Sequence, residues 1–208
     1  MSLKQQNYPF IILYVLFNFA IFFVIYKNGF LDLNSFNDMF KYLSQKDGIF
    51  FILLPILLIV LQGVISSKIK EILIFWKKKN RLPGCQAFTK YMKEDNRINK
   101  KILIEKYGKL PKKEEKQNQL WYSIYKKISD KGIDKTHKDY LLSRELTIVT
   151  VFFIPIFPLI LWYFTNIENK ILIIFSIFLI LEYLIIRYVA KNHAERLVTN
   201  VLALASIE

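Results

Sequence analysis

The sequence predicts an all-α integral membrane protein with four transmembrane helices and a basic helical cytoplasmic segment between helices 2 and 3. Two observations predict this fold class. Hydrophobic side chains make up 53% of the 208 residues and are concentrated in four blocks. Of the 30 Lys and Arg residues, 22 lie between residues 67 and 145, where 10 Asp and Glu leave a net charge of +12. The four blocks lack the amphipathic periodicity of soluble helices, so they favour lipid or protein on every side.

Each apolar block is long enough to cross the hydrocarbon core of a bilayer, about 30 Å thick, which requires roughly 20 helical residues. The first block has no small residues before Lys27 that would form a cleavage site, which favours a membrane span over a signal peptide. Pro55 predicts a kink in the second span. Only residues 166–170 separate the last two blocks, which therefore form a hairpin. The predicted spans are residues 8–26, 48–66, 146–165 and 171–190.

The distribution of Lys and Arg predicts the orientation of the spans, because these residues are retained on the cytoplasmic side. The basic segment is then cytoplasmic, and four spans place both termini in the cytoplasm. A composition rich in Ile, Lys, Asn and Phe is typical of AT-rich bacterial genomes, so we expect the bacterial inner membrane. The predicted organisation is a first transmembrane hairpin, the basic segment, a second hairpin and a cytoplasmic C-terminal helix, at residues 1–66, 67–145, 146–190 and 191–208.

Several short helices are predicted in the basic segment, because aromatic and aliphatic residues recur among its charges. Lys68–Lys79 is expected to extend the second span as one long helix. Asp95 is the predicted N-cap of a helix that Gly108 ends. The remaining predicted helices are Cys85–Lys93, Asn96–Tyr107, Glu114–Ile128 and a helix from Thr136 into the third span.

The basic residues of this segment have three interpretations. They are a topology signal on a solvated face, or they hold anionic lipid headgroups, each contributing roughly 1 kcal/mol near such a surface. Alternatively, they bind a partner protein, a nucleic acid or a nucleotide second messenger, with aromatic side chains for stacking. The candidate basic residues are Lys77, Lys78, Lys79, Arg81, Lys126 and Lys127, and the candidate aromatic residues are Trp121, Tyr122 and Tyr125.

No catalytic motif supports an enzyme: the sequence has no glycine-rich phosphate loop, nucleophile elbow or paired-histidine motif. The lone Cys85 has no partner thiol for a disulfide or a metal cage, and we predict no metal and no cofactor. The spacing of Arg187 and His193 resembles the Arg-x4-6-His pattern of HEPN ribonucleases. Tyr188 replaces the polar residue that usually follows that Arg, and Arg187 is expected to reach the headgroups from the end of the fourth span. We therefore predict a non-enzymatic protein.

Glu182 is the most informative single residue, because it lies past the middle of the fourth span among apolar neighbours. An ionisable residue within a span is by default a candidate for an ion path or proton relay, for which Asn18 and Gln62 are further polar candidates. Alternatively, Glu182 is a neutral acid that only fixes helix packing. Its candidate hydrogen-bond partners are then Asn18, Gln62, Thr150 and Ser176.

Four short motifs, together with the spans and the basic middle, resemble a group of small bacterial membrane proteins associated with anti-phage defence loci. The motifs are RLPGCQAF at 81–88, QNQLWYSIYKK at 117–127, HKDYLLSREL at 137–146 and AERLVTNVLA at 194–203. The resemblance implies a membrane effector that a nucleotide signal or a partner protein switches on, and that then oligomerises or perturbs the membrane. No separate sensor domain is evident in the sequence, which favours a partner protein as the trigger.

Three functions follow as expectations. The first is a non-enzymatic inner-membrane effector or accessory protein that forms a homo-oligomer and permeabilises the membrane when triggered through its basic segment. The second is a constitutive small channel or transporter, against which the four spans show no inverted repeat. The third is a membrane-anchored scaffold for a cytoplasmic partner.

Overall fold

A computed structural model describes residues 3, 5–26, 57, 60, 63–164 and 167–207. Within these residues the regular elements are helices and none is a strand. The longer helices are α1 Tyr8–Tyr26, α2 Ser67–Phe75, α3 Lys100–Tyr107, α4 Glu114–Lys127, α5 Lys131–Phe164 and α6 Asn169–Ala205. Shorter helical segments are the 3-10 turns Gln5–Asn7 and Pro83–Gln86, the π-helical turn Ala87–Tyr91, and Met92–Glu94. The predicted all-α class is confirmed for the described residues.

Three of the described helical stretches are long and apolar enough to cross a membrane: Gln5–Tyr26, Lys131–Tyr163 and Asn169–Ala205. The first and fourth predicted spans lie within them, and the third, 146–165, lies within Lys131–Tyr163 as far as Tyr163. The predicted second span, with Pro55, falls mostly outside the described residues. The chain is therefore a membrane protein by the length and composition of its helices.

One of two compact units comprises Met1–Ser66 and Glu145–Ile186 and is called the membrane unit here. Its core is a cluster of phenylalanine rings, in which Phe157 lies 4.9 Å from Phe19, 5.7 Å from Phe22 and 5.2 Å from Phe175 between ring centroids. Tilted and edge-to-face contacts at these distances stabilise aromatic pairs beyond the burial of their area. The cluster thus joins α1 to the membrane-spanning parts of α5 and α6.

The outer surface of the membrane unit is strongly apolar. Large side chains are exposed on each of its three described helices, among them Leu13 at 63%, Leu159 at 65% and Ile185 at 65%. An apolar surface of this extent is unfavourable in water and natural in hydrocarbon. Trp162 and Tyr163 are exposed at the end of α5, where amphipathic rings suit the headgroup level.

The second unit, Ser67–Arg144 with Arg187–Glu208, is called the basic unit here. Its core combines residues that are far apart in sequence, because the C-terminal part of α6 packs with the short helices. Apolar side chains on α6 recur at helical spacing and bury one stripe of the helix. The buried core contains Ala87, Phe88, Tyr91, Met92, Ile98, Leu103, Trp121, Ile124, Ile133, Leu197, Val198, Val201, Leu202, Ala203 and Ala205. The C-terminal residues are therefore part of the same unit as the basic segment.

The structure corrects the expected continuous helix from the second span to Lys79. Ile65 and Ser66 are not helical, so the helical residues before them are separated from α2. At its other end α2 stops at Phe75, because Trp76 adopts a left-handed conformation with φ +52°. Trp76 N–H then donates to the Ile72 carbonyl at 2.9 Å, which closes the last turn.

Two predicted helix starts are also wrong. Asp95 does not cap a helix, because its carboxylate binds the Arg97 guanidinium at 2.6 Å. Instead Asn99 is the N-cap of α3 and accepts from the backbone N–H of Lys101 at 3.0 Å. Helix α5 begins at Lys131, five residues before the predicted start, and the Asp130 carboxylate accepts from the Ile133 N–H at 2.9 Å.

Candidate functional site

Four polar side chains meet inside the membrane unit and are called the polar cluster here: Tyr14, Asn18, Thr150 and Glu182. The Asn18 amide donates to Glu182 Oε1 at 3.4 Å and to the Tyr14 carbonyl at 3.1 Å. The Tyr14 hydroxyl lies 2.6 Å from Thr150 Oγ1. The cluster therefore connects α1, α5 and α6 through hydrogen bonds.

Helical spacing explains why these residues meet. Tyr14, Asn18 and Phe22 are four residues apart and share the face of α1 that contacts the other helices. Glu182 follows Phe175 of the phenylalanine cluster by seven residues, which is two turns of α6. The polar cluster is thus a layer next to the aromatic layer in the same helix interfaces.

Only one of the two Glu182 carboxyl oxygens accepts a hydrogen bond from a described residue. Its Oε2 atom is buried and has no hydrogen-bond partner among the described residues, and the Asn18 Oδ1 atom is in the same state. A charged carboxylate in a span costs roughly 2.5–3.5 kcal/mol unless water or a partner stabilises it. The cluster can hold a neutral carboxyl with few further contacts, whereas a charged one requires water or another donor.

The other predicted members of this site lie elsewhere. Gln62 falls outside the described residues. Ser176, proposed as a partner of Glu182, donates its hydroxyl to the Leu172 carbonyl at 2.8 Å on its own helix. Of the predicted partners, Asn18 contacts Glu182 directly, and Thr150 contacts Tyr14 rather than Glu182. Tyr14 was missed from sequence, although its position one turn before Asn18 could have indicated it.

The predicted basic residues after α2 have different surroundings. Lys77, Lys78 and Lys79 are exposed. Arg81 instead donates to the Glu71 carboxylate at 2.9 Å and to the Lys78 carbonyl at 2.6 Å, so its guanidinium holds the end of α2 against the following turn.

The predicted aromatic residues line one cavity of the basic unit, called the aromatic cavity here, with a volume of about 590 Å³. Trp121, Tyr122, Tyr125 and Lys126 of α4 lie along it, and Lys127 does not. His137, Tyr140 and Arg144 of α5 also line it, spaced by three and four residues on one face. None of these three residues was among the predicted binding residues.

The aromatic wall of this cavity is held by ring contacts. Trp121 and Tyr125 are stacked with centroids 5.8 Å apart and planes within 10°. The Tyr125 hydroxyl lies 2.8 Å from His137 Nδ1, and the two rings meet edge to face at 5.6 Å. Trp121 is 9% exposed and its Nε1 has no partner among the described residues, whereas Tyr122 is 50% exposed. The wall thus combines a fixed pair with one accessible ring.

Gln117 positions α4 and therefore the aromatic wall. Its side chain is fully buried. Its Oε1 accepts from the backbone N–H groups of Phe88 at 3.0 Å and Thr89 at 3.1 Å, and its Nε2 donates to the Lys112 carbonyl at 2.9 Å. The lack of a side chain at Gly84 permits the close approach, because a Cβ there would overlap Asn118 and lie 3.0 Å from the Trp121 ring.

The cavity carries positive charge. Lys126 Nζ lies 5.4 Å from the Tyr122 ring centroid, and the Arg144 guanidinium carbon lies 5.9 Å from that of Tyr140. Glu71 also lines the cavity, but Arg81 neutralises its carboxylate. Burial, and then the charge of Arg144, lower the pKa of His137, so its imidazole is neutral at pH 7.

The pair that resembled a ribonuclease motif does not share a helix face. Arg187 and His193 are six positions apart on the continuous helix α6, which rotates them by about 240°. The Arg187 guanidinium carbon lies 3.6 Å from the centroid of the Trp76 ring, a cation–π contact. Among the described residues no group of three or more His, Cys, Asp and Glu could hold a metal ion.

Comparison of the chain with protein-family models, with curated proteins and with solved structures gives no match in any of the three.

Proposed function

We propose that the protein is a non-enzymatic membrane effector or accessory protein that oligomerises and permeabilises the membrane when its basic unit is triggered. The observation that carries this proposal is the polar cluster, in which Asn18 contacts Glu182 within helices of strongly apolar surface. Ionisable groups within membrane spans are rare and mark ion paths and proton relays. The sequence resemblance supports a place in bacterial anti-phage defence.

The proposed topology has four spans in the bacterial inner membrane, with both termini in the cytoplasm. The charge of the 67–145 segment supports a cytoplasmic basic unit. Residues 187–208 share a compact unit with that segment, which supports the same side for the C-terminus. If only the three described helices crossed the membrane, the N-terminus and the basic unit would lie on opposite sides of it. The proposed topology therefore requires the second span.

A homo-oligomer is proposed because the polar cluster leaves buried oxygens of Asn18 and Glu182 without partners among the described residues. A further copy of the chain, or water in an oligomeric interior, would supply hydrogen bonds to them. Mass measurement in several mild detergents tests this part, and a species that is monomeric in all of them would contradict it.

Trigger transmission is proposed to run along α5 and α6, because each of these helices contributes residues to both units. A ligand, anionic lipid or partner protein that reorganises the basic unit then acts on the helices that carry Thr150 and Glu182. Lys77, Lys78 and Lys79 form an exposed run of three lysines after α2 and are the proposed contacts for anionic lipid.

The experiment is a measurement of membrane potential in bacterial cells that produce the protein and its variants at matched levels. Glu182→Gln keeps shape and hydrogen bonding and removes the ionisable group. We expect it to reach the membrane normally and, upon triggering, to lose or alter the depolarisation and growth arrest that the triggered wild type causes. Glu168→Gln is the matched control, because it makes the same exchange at an exposed residue just before α6, and it should behave like wild type.

A packing role for Glu182 has its own supporting observation, the hydrogen bond from Asn18, and would suit a scaffold. In that case Glu182→Gln and wild type give the same membrane-potential traces, and Glu182→Leu only lowers the amount of folded protein. Depolarisation that needs no trigger and persists in growing cells would instead favour a constitutive channel or transporter.

A further inference from the structure

The aromatic cavity lies in the basic unit and shares no residue with the polar cluster. Its volume of about 590 Å³ is within the roughly 300–1,000 Å³ range of small-molecule sites. Its lining combines aromatic surface with a small number of polar groups, as ligand sites do. Exposed lysines elsewhere on the basic unit are spread over its surface, whereas Lys126 and Arg144 both line this one cavity.

The aromatic part of the lining fits a planar ring. Tyr122 is half exposed, and Tyr125 is fixed from behind by Trp121 and at its edge by His137. Rings that are held in place lose little conformational entropy when a ligand stacks on them. Stacking of a nucleobase on such a side chain is sequence-tolerant, because every base has a π-face.

The charged part of the lining fits an anion. Lys126 and Arg144 come from different helices, α4 and α5, and the cavity's carboxylate, Glu71, is already engaged by Arg81. Arg and Lys hydrogen-bond phosphate oxygens through charge-assisted contacts, which are stronger than neutral ones. An uncharged aromatic ligand would make no charge-assisted contact with Lys126 or Arg144.

We propose that the aromatic cavity binds a small nucleotide-class ligand, with the base against Tyr122 and Tyr125 and the phosphate near Lys126 and Arg144. The ligand class deepens the proposed function by naming its trigger, and that consequence rests on the proposed function. Binding itself is independent of any effect on the membrane. A lipid headgroup offers the same phosphate but no planar ring, so the two sources are separable.

The experiment is equilibrium dialysis of the full-length protein in uncharged detergent with AMP, GMP, CMP and UMP, each at up to about 1 mM, the weak end of specific affinities. Adenosine, guanosine, cytidine and uridine supply the ring without phosphate, and glycerol 3-phosphate supplies the phosphate of a lipid headgroup without a ring. We expect at least one mononucleotide to bind, and its nucleoside and glycerol 3-phosphate to bind about tenfold more weakly or not at all.

Single substitutions locate the site. Lys126→Gln should weaken the binding of that mononucleotide about tenfold, because a charge-assisted contact is lost. Lys127→Gln is the matched control on the next residue, outside the cavity, and should stay within about twofold of the wild type. Tyr122→Leu should weaken binding about fivefold or more through lost stacking. Circular dichroism of each variant verifies that its helices are intact.

Three outcomes would overturn the proposal. Mononucleotides that do not bind would remove it. Glycerol 3-phosphate that binds as tightly as the mononucleotide would assign the cavity to a phosphate or lipid headgroup. Equal losses in Lys126→Gln and Lys127→Gln would reduce binding to general surface charge. Each outcome leaves the membrane-potential measurement unaffected, and loss of membrane activity with binding retained would contradict only the proposed function.

Discussion

Replacing Gln117 with Leu should loosen the π-helical turn Ala87–Tyr91, because the Gln117 side chain supplies an acceptor for two backbone N–H groups there. The side chain makes four hydrogen bonds: its Oε1 accepts from Phe88 N, Thr89 N and Thr89 Oγ1 at 3.0, 3.1 and 3.2 Å, and its Nε2 donates to the Lys112 carbonyl at 2.9 Å. Leu fills a similar volume and makes none of them.

The magnitude follows from the two N–H groups that lose their acceptor. A buried donor left without an acceptor costs about 1–3 kcal/mol. Phe88 is buried, so its N–H bears the full cost, whereas Thr89 is exposed and water replaces part of its loss. We therefore expect a loss of about 2–4 kcal/mol in the free energy that keeps this turn closed. Since 1.4 kcal/mol is tenfold, amide exchange in the turn should accelerate about 30-fold or more.

Hydrogen exchange followed by mass spectrometry, on peptides that contain residues 87–91, measures this acceleration in the full-length protein in detergent. Gln119→Leu is the matched control, because Gln119 lies two residues along α4 and is exposed. Its peptides should exchange within about twofold of the wild type. If Gln117→Leu left exchange in residues 87–91 as slow as the control does, the assigned role of Gln117 would be refuted.

Three further predictions concern the basic unit. Cys85 is 5% exposed and burial raises the pKa of its thiol, so maleimide should modify it slowly in the folded protein and rapidly after denaturation. Rapid labelling of the folded protein would contradict this burial. Topology mapping therefore requires a cysteine introduced at an exposed position. Because burial and Arg144 lower the pKa of His137, the unfolded chain binds a proton near pH 6.5 that the folded chain does not. The free energy of unfolding should therefore fall as pH drops below about 6.5, down to the lowered pKa, and His137→Gln should flatten this slope in thermal unfolding series. Arg187→Gln should destabilise the basic unit by about 0.5–2 kcal/mol through loss of the cation–π contact with Trp76, seen as a lower thermal midpoint that Trp76→Leu does not lower further in the double variant.

Apolar length and charge distribution carried most of the fold prediction. Helix α1 spans Tyr8–Tyr26 as predicted, because the apolar run before Lys27 contains Asn18 as its single strongly polar residue. Helix starts in the basic unit were less predictable, because an acidic side chain can bind either a backbone N–H group or a neighbouring cation. Asp95 and Asp130 are both of a residue type that caps helices. Asp130 accepts from the Ile133 N–H at the start of α5, whereas the Asp95 carboxylate binds the Arg97 guanidinium. Such a local competition is decided by contacts that spacing alone does not reveal.

The candidate sites show a similar division. The sequence indicated Glu182 and several candidate partners, but its spans do not reveal which faces meet, so only the structure distinguishes Asn18 among them. For the C-terminal helix a signal was present: Leu197, Val198, Val201 and Leu202 recur at i, i+1, i+4 and i+5, a buried stripe for which the sequence shows no partner. The aromatic cavity depended on tertiary packing, since α4 and α5 must face each other to form it.

Release of potassium from liposomes that contain the purified protein tests the central claim most directly. Wild-type protein, reconstituted at densities that allow oligomers and given the mononucleotide that dialysis identifies, should release entrapped potassium. Glu182→Gln, inserted in equal amount, should release it at a clearly different rate, and Glu168→Gln at the wild-type rate. Liposomes that stay sealed under all these conditions, or three proteins with identical release, would contradict the claim that Glu182 serves a triggered membrane permeability.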